Sequence, residues 1–294
     1  MSAPISIVIL NYNTRDLLAA CLHSIERFAP DAETIVVDNA SPDDSAARVR
    51  AQFPGARLIA NPDNRGFARG MNQGLRATTA RFIFALNADT ELTPTTLAPL
   101  RDACAQYPRA GIIAPAQVTP TGAHLASAFS DPTLAREAAR LLLFSDALAA
   151  RFKRGVWRAP IGAPRRVDWL MGAALFFRRE CLDAVAGFAE AEFMYGEDWD
   201  VCYRARQLGW QIFLVPEAKI IHHENAAGKQ MFQAHRLARV LEANLYFHEK
   251  HFGRASRRAR AFIHLLGVGL RLIVAPRARR AQIELARVAW QGLR

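Results

Sequence analysis

The sequence predicts an α/β fold: a doubly wound, mostly parallel sheet followed by a basic amphipathic helical tail. Three observations carry that expectation. Continuous apolar, β-branched runs recur from "ISIVIL" (Ile5 to Leu10) onward, and such runs mark strands buried on both faces. Helical patterns alternate with them at the spacing of right-handed crossover units. Polar residues follow the strands, namely Asn11 and Asn13, then Asp38, then Asn87 and Asp89. In an open α/β sheet the carboxyl ends of the strands share one edge, and ligands bind there.

The elements follow in order. Thr14 is placed to cap a helix over "RDLLAACLHSIERF", in which Leu17, Leu18, Cys21, Leu22, Ile25 and Phe28 recur on one face. "TIVVDNAS" supplies a second buried strand, and Ser41-Pro42-Asp43-Asp44 opens the next helix, whose apolar face is thin. "ARLIANP" reads as a short third strand, "GFARGMNQGLRAT" as a glycine-rich helix and "RFIFALNADT" as a fourth strand. The region from 120 to about 165 is less regular, with a basic amphipathic stretch, "LAREAARLLLFSDALAARFKRGVWRAP", before the connector "APIGAPRR". "VDWLMGAALFFRR" resumes as strand-like sequence with Gly172 inside it, where a backbone can approach another group closely. A helix stopped by Gly209, the strand "QIFLVP" and "AKIIHHE" complete the core.

The 294 residues, 51% of them hydrophobic, exclude global disorder and suffice for one large α/β domain with an appendage or two modest ones. The four cysteines show no CxxC spacing, which argues against a zinc knuckle or disulfide framework and suits a reducing cytoplasm. "MSAPISIVIL" lacks the basic segment and longer apolar run of a signal peptide, so a cytoplasmic location is expected. The net charge of +11 is concentrated in the tail, where Arg254 to Arg294 holds ten arginines and one acidic residue, Glu284. The apolar run from Ala261 to Ala275, interrupted by His264 and Arg271, falls short of the roughly 20 residues that span a bilayer. Two readings remain for it: a helix lying in the interface with arginines on anionic headgroups, or a packing helix or dimer contact with a solvated basic face. Groups that read or stack on bases are sparse among the arginines, which excludes nucleic acid as a partner. The oligomeric state is not encoded in any motif.

Chemistry-bearing residues gather in three places. Asn87 and Asp89 end an apolar strand; they suit a turn, and a carboxylate there also suits Mg²⁺, which binds through one or two carboxylates plus substrate phosphates. His222, which follows two isoleucines, is preferred over His223 as a partner of Asp89 in a mixed O/N site suited to Mn²⁺. Gly66, Gly70 and Gly74 stand one helical turn apart and permit close approach of a ligand or a neighbouring element, with Arg65 and Arg69 available to a phosphate or a base. They match neither a Walker loop nor the dinucleotide fingerprint, which removes support from ATPase and dehydrogenase readings. Finally, "AEFMYGEDWDVCY" sets Glu197, Asp198 and Asp200 beside Phe193, Tyr195 and Trp199. One or two carboxylates suit a helix N-terminus; three among aromatic groups suit a general base beside a sugar-binding surface.

With these motifs in order, the chain resembles the inverting family-two glycosyltransferases of the GT-A fold, in particular bacterial rhamnosyltransferase-like enzymes of cell-surface polysaccharide assembly. The resemblance runs from about Ile5 to Phe252 and rests on "SIVILNYNTRDLLAACLHSI", "IVVDNASPDDS", "NRGFARGMNQGL", "LNADTEL", "VDWLMGAALFFRRE", "GFAEAEFMYGEDWDVCYRARQLGW" and "IIHHENAAGK". It implies a glycosyltransferase domain over 1–252, with a nucleotide-sugar-binding half to about 118 and an acceptor half over 119–252, and a helical tail over 253–294 that can be peripheral to the inner face of the cell membrane. By that likeness Asp38 contacts the nucleotide base with Asn11 and Arg65 nearby. Asp89 is the surviving carboxylate of the metal-binding motif, here Asn87-Ala88-Asp89, and His222 a further ligand of Mn²⁺ or Mg²⁺. Asp198 is the base, Glu197 and Asp200 shape its surroundings, and Asp168, Trp169 and Gly172, with Trp199, lie toward the acceptor. The implied reaction moves a sugar, rhamnose by family expectation, from a dTDP or UDP donor to a saccharide or lipid-linked saccharide. Ala189 departs from the acidic residue that many relatives carry before Glu190. A nucleotidyltransferase and a non-catalytic nucleotide-sugar-binding module are the alternatives. The first would want a basic glycine-rich loop after strand one, which "NYNTRD" is not.

Overall fold

The structure, a computed structural model, describes residues 5–131, 133–142, 156–158, 162–191, 194–223, 236–274 and 279–294. Its strands are β1 (Ile5–Asn11), β2 (Glu33–Asp38), β3 (Arg57–Ala60), β4 (Phe82–Asn87), β5 (Thr90–Leu92), β6 (Ala110–Val118), β7 (Ala126–Phe129), β8 (Val156–Arg158), β9 (Arg165–Val167), β10 (Trp169–Leu170), β11 (Ala174–Arg178) and β12 (Gln211–His222). The main sheet runs β3-β2-β1-β4-β11-β6-β12-β5, with β9 added on β12. β3, β2, β1 and β4 run parallel to one another, as do β6 and β12. β11 enters antiparallel between β4 and β6.

Register explains the shared edge. Asn11 pairs with Asp38, and Leu10 with Asn87, so β1, β2 and β4 end at one level. Because β11 runs the other way, its start meets their ends: Ala174 pairs with Leu86, and the Asn87 N–H donates to the Ala173 carbonyl at 2.9 Å. His222 at the end of β12 pairs with Thr90 of β5. A short second sheet pairs β7 antiparallel with β10.

Helices Arg15–Phe28, Ser45–Gln52, Phe67–Arg76, Leu97–Gln106, Arg179–Ala184 and Glu197–Gln207 accompany the sheet. The first confirms its predicted span, with Leu18, Cys21, Leu22 and Ile25 buried. Thr14 does not cap it; the Thr14 hydroxyl donates to Asn11 Oδ1 at 2.7 Å, and the Arg15 N–H donates instead to Asp43 Oδ2 at 2.8 Å. The glycine row serves packing: a Cβ on Gly74 would stand 2.4 Å from Val8 Cγ1, and one on Gly70 2.6 Å from Leu10 Cδ1. The close approach expected there is therefore made by the β1–β2 face of the sheet.

A second unit holds Ser130–Val156, Met194–Gly196 and Gly228–Arg294. Its described helices are Leu134–Leu142, Arg236–Val274 and Arg279–Leu293. The long helix is broken at Gly253 (φ 80, ψ 172), beside the boundary expected at 252, while residues 236–252 pack within this unit. Its core contains Leu241, Leu245, Ala261, Val268, Leu285, Val288 and Ala289. Glu137, Arg260 and His248 are buried too, with Arg260 Nη1 2.7 Å from His248 Nε2. Among the described residues no helix is long and apolar enough to cross a membrane. Phe193, Ala275 and most of the stretch from 143 to 161 lie outside the described residues.

Candidate active site

The β1–β2 end is a closed polar cluster. Asp38 Oδ2 accepts from Asn11 Nδ2 at 2.7 Å and from the Ser41 hydroxyl at 2.7 Å, while Oδ1 accepts the Ser41 N–H at 3.0 Å. Both Asn11 and Asp38 are buried. Asn13 (φ 54) and Ala40 (φ 60) hold left-handed backbone beside them, a strained conformation that non-glycine residues keep only where surroundings enforce it. Beyond β3, Asn61 Nδ2 donates to Asn39 Oδ1 at 2.8 Å and Asn39 Nδ2 to the Gly66 carbonyl at 3.0 Å, fixing the loop that carries Arg65. Arg65 itself is exposed, with Nε 3.4 Å from Asp63 Oδ1.

The β4–β12 end is built differently. Asp89 and His222 are both buried, and His222 Nε2 stands 3.4 Å from Asp89 Oδ1. His222 Nδ1 lies 2.9 Å from Gln117 Oε1. With the Gln117 amide oxygen facing the ring, Nδ1 would carry the proton and Nε2 would turn a lone pair toward the carboxylate. His222 Nε2 has no hydrogen-bond partner among the described residues. A carboxylate oxygen and an imidazole nitrogen brought to 3.4 Å in the interior are two ligand types that a divalent cation takes. Ligand atoms that each sit about 2.1 Å from a divalent ion are at most about 4.2 Å apart, a span that accommodates this pair. The residues therefore fit a divalent cation. Among the described residues no group of three His, Cys, Asp or Glu side chains gathers. Asn87, whose Oδ1 has no hydrogen-bond partner among the described residues, ends β4 just before this pair. His223 turns to Glu91, at 2.6 Å.

The acidic stretch resolves into distinct tasks. It opens the helix Glu197–Gln207 after the left-handed pair Tyr195 (φ 78) and Gly196 (φ 86). Asp200 is buried and bonded to Arg204 Nε at 2.6 Å; Arg204 also donates to the carbonyls of Val185 and Gly187. Asp200 is thus a fastening for the helix. Asp198 instead accepts two backbone N–H groups, Gly172 at 3.0 Å and Trp199 at 2.8 Å. Burial raises its pKa above the ordinary carboxylate value, and those N–H bonds offset part of the rise. A Cβ on Gly172 would come within 3.2 Å of Asp198 Cβ, so the close approach expected at that glycine is to this carboxylate. Glu197 is half-buried beside it.

Two family models match the chain: Glycosyl transferase family 2 over residues 6–145 and Glycosyl transferase family group 2 over residues 82–275. The chain belongs to the family-two glycosyltransferases. An N-acetylglucosaminyl-diphospho-decaprenol L-rhamnosyltransferase of Mycobacterium tuberculosis is 27% identical over 236 residues, covering 74% of this chain and 75% of that protein. A pre-mycofactocin glycosyltransferase of the same species is 28% identical over 202 residues, 64% of this chain and 37% of that one. Among solved structures, a GalNAc transferase with UDP, GalNAc and Mn²⁺ superposes with a TM-score of 0.58 at 16% identity, over 82% of this chain and 47% of that one. A mannosyltransferase of Pyrobaculum calidifontis in complex with GDP-Man and Mn²⁺ gives 0.57 at 17% identity, over 100% and 88%. At such identities the likeness is one of fold, and it is the GT-A fold that the ordered motifs imply. The chain spans less than half the length of the GalNAc transferase.

In this glycosyltransferase the expected acceptor side is aromatic. Trp169 stacks on Phe129 (centroids 4.3 Å apart) and lies 6.3 Å from Trp199. Trp199 is buried and Trp169 half-buried, so Trp169 is the ring with surface to offer. Asp168 faces Arg206 at 3.8 Å. Sequence reasoning missed Gln117, Ser41, Phe129 and Arg206. Only Gln117 left a signal, as a polar residue in the otherwise apolar run "AGIIAPAQV".

Proposed function

We propose that this chain is an inverting, metal-dependent glycosyltransferase that moves a sugar from a pyrimidine nucleoside diphosphate to a saccharide or lipid-linked saccharide of the cell surface. The observation that carries the proposal is the Asp198 carboxylate, held by two backbone N–H groups while burial raises its affinity for a proton. The acceptor hydroxyl attacks the anomeric carbon from the face opposite the nucleotide. As that C–O bond forms, the bond to the diphosphate breaks, the diphosphate leaves with the electron pair, and Asp198 takes the hydroxyl proton. This single displacement inverts configuration. Asp89 and His222 would hold Mn²⁺ or Mg²⁺, which when bound supplies positive charge to the departing diphosphate. Asn11, Asp38 and Arg65 line the nucleotide side, with Asp38 acting chiefly as the post that orders Asn11 and Ser41. Trp169 offers a sugar its ring face, supported by Trp199, and Asp168, Gly172 and Glu197 border the acceptor. The rhamnosyltransferase relative supports rhamnose as the sugar and a lipid diphosphate as the acceptor class.

Calorimetric titration with UDP, dTDP, GDP and ADP, each with and without Mn²⁺, tests the donor side. Mn²⁺-dependent binding of one pyrimidine diphosphate, lost in Asp89→Ala, is the expected result; folded protein that binds none of the four contradicts the proposal.

The location proposed is cytoplasmic, on the inner face of the membrane. Arg254, Arg258, Phe262, Leu266 and Leu270 recur every fourth residue and are all exposed, a stripe basic at one end and apolar at the other. Ile283 and Trp290 are exposed on the last helix. Such a face suits an anionic lipid surface. The full chain should sediment with phosphatidylglycerol vesicles, and Phe262→Ser with Leu266→Ser should release it; unchanged sedimentation of that variant rejects the membrane face.

A further inference from the structure

Gln117 stands in a strand whose nine residues are all buried, and it is itself 0% exposed. A polar side chain at such a place is costly unless it is bonded. Its side-chain bond goes to His222 Nδ1, 105 residues away in sequence. The strand pairing sets this meeting: β6 and β12 run in parallel with Gln117 opposite Ile220, which brings the side chain beside His222.

We infer that Gln117 is a positioning residue for the cation site, holding His222 as the Nδ1–H tautomer so that Nε2 presents its lone pair to the ion. The inference rests on the reading of Asp89 and His222 as the cation ligands. A neutral imidazole has one N–H, and the bond made by one nitrogen decides which electron pair the other offers. Without an acceptor at Nδ1 the proton would move to Nε2, where Asp89 Oδ1 waits at 3.4 Å. The ring would then close on the carboxylate and the ion would lose a ligand. Partners of this kind beyond the ligands typically change metal affinity about 10–100-fold.

The test uses the full-length chain. ¹⁵N NMR of His222 near neutral pH, metal-free and with Mg²⁺, should place the proton on Nδ1 in the wild type and on Nε2 in metal-free Gln117→Leu. Titration with Mn²⁺ alone, followed by electron paramagnetic resonance, should show Gln117→Leu weakened about 10–100-fold. Gln117→Glu, which keeps the acceptor oxygen, should stay close to wild type. A proton on Nε2 in the wild type overturns the inference, as does wild-type Mn²⁺ affinity in folded Gln117→Leu or an equal loss in both variants. Should Gln117→Leu fail to fold, the wild-type spectrum alone decides. Absence of Mn²⁺ binding by the wild type would instead reject the cation site, a separate outcome from the tautomer.

Discussion

At the end of β2, Asp38 receives 2.7 Å hydrogen bonds from Asn11 and Ser41, and the cluster closes on itself. Two residues past the end of β4, Asp89 meets a His222 ring nitrogen at 3.4 Å. Both aspartates are buried and both lie at one edge of one sheet. The difference teaches how to sort polar residues at such an edge. Donor matched to acceptor builds a scaffold, whereas a carboxylate and an imidazole brought together make a pair that suits a cation. The helix Glu197–Gln207 repeats the lesson within three residues, since Asp200 is tied to Arg204 and Asp198 is left to backbone N–H groups and a raised pKa.

The comparison breaks most easily at Asp89. Asp89→Ala should abolish the Mn²⁺ dependence of nucleotide binding and lower turnover about 10³-fold or more, with little change in Tm, because a cation at a leaving group contributes several kcal/mol to the transition state. Asp38→Ala should do the reverse: a loss of about 1–3 kcal/mol of stability by urea denaturation, from donors left without an acceptor, and a smaller effect on chemistry. If Asp38→Ala proved the more damaging to turnover at equal stability, the division between scaffold and site would fail. Gly74→Ala sharpens the scaffold side. Its methyl would meet Val8 and Val37 at 2.4 and 2.9 Å, so overpacking of about 1–3 kcal/mol should outweigh the gain in helix propensity. A Tm at or above wild type would show that the helix can move off the sheet freely.

The smallest expected effect concerns pH. Asp198 binds its proton more tightly when folded, so wild-type stability falls as pH rises from the ordinary value of 3.8 through the raised folded pKa. Asp198→Asn does not titrate. Its Tm relative to wild type should therefore improve across that window, and a constant difference would mean that burial does not disfavour the charge.

Much of the fold was legible because β-branched runs and polar strand ends are local signals. "ISIVIL" and "RFIFAL" became β1 and β4, and their trailing Asn11 and Asn87 share the expected edge. The antiparallel insertion of β11 was not legible, since nothing in "AALFFRR" states which neighbour it pairs with or in which direction. Thr14 looked like a cap because residue type and spacing allowed it; tertiary contact gave its hydroxyl to Asn11 and the capping task to Asp43, 28 residues on from Arg15. Of the site, carboxylates and histidines announce themselves by chemistry, but their division of labour depends on partners distant in sequence. Asp198 and Asp200 differ through Gly172 and Arg204, and His222 has Gln117 as its partner at Nδ1.

Asp198 is the group proposed to remove the acceptor proton in this glycosyltransferase. Donor binding by calorimetry and sugar transfer by product formation, measured side by side on Asp198→Asn and wild type, test it most directly. Asp198→Asn should show unchanged donor affinity and turnover reduced about 10²–10⁴-fold. Turnover within a few-fold of wild type would contradict it.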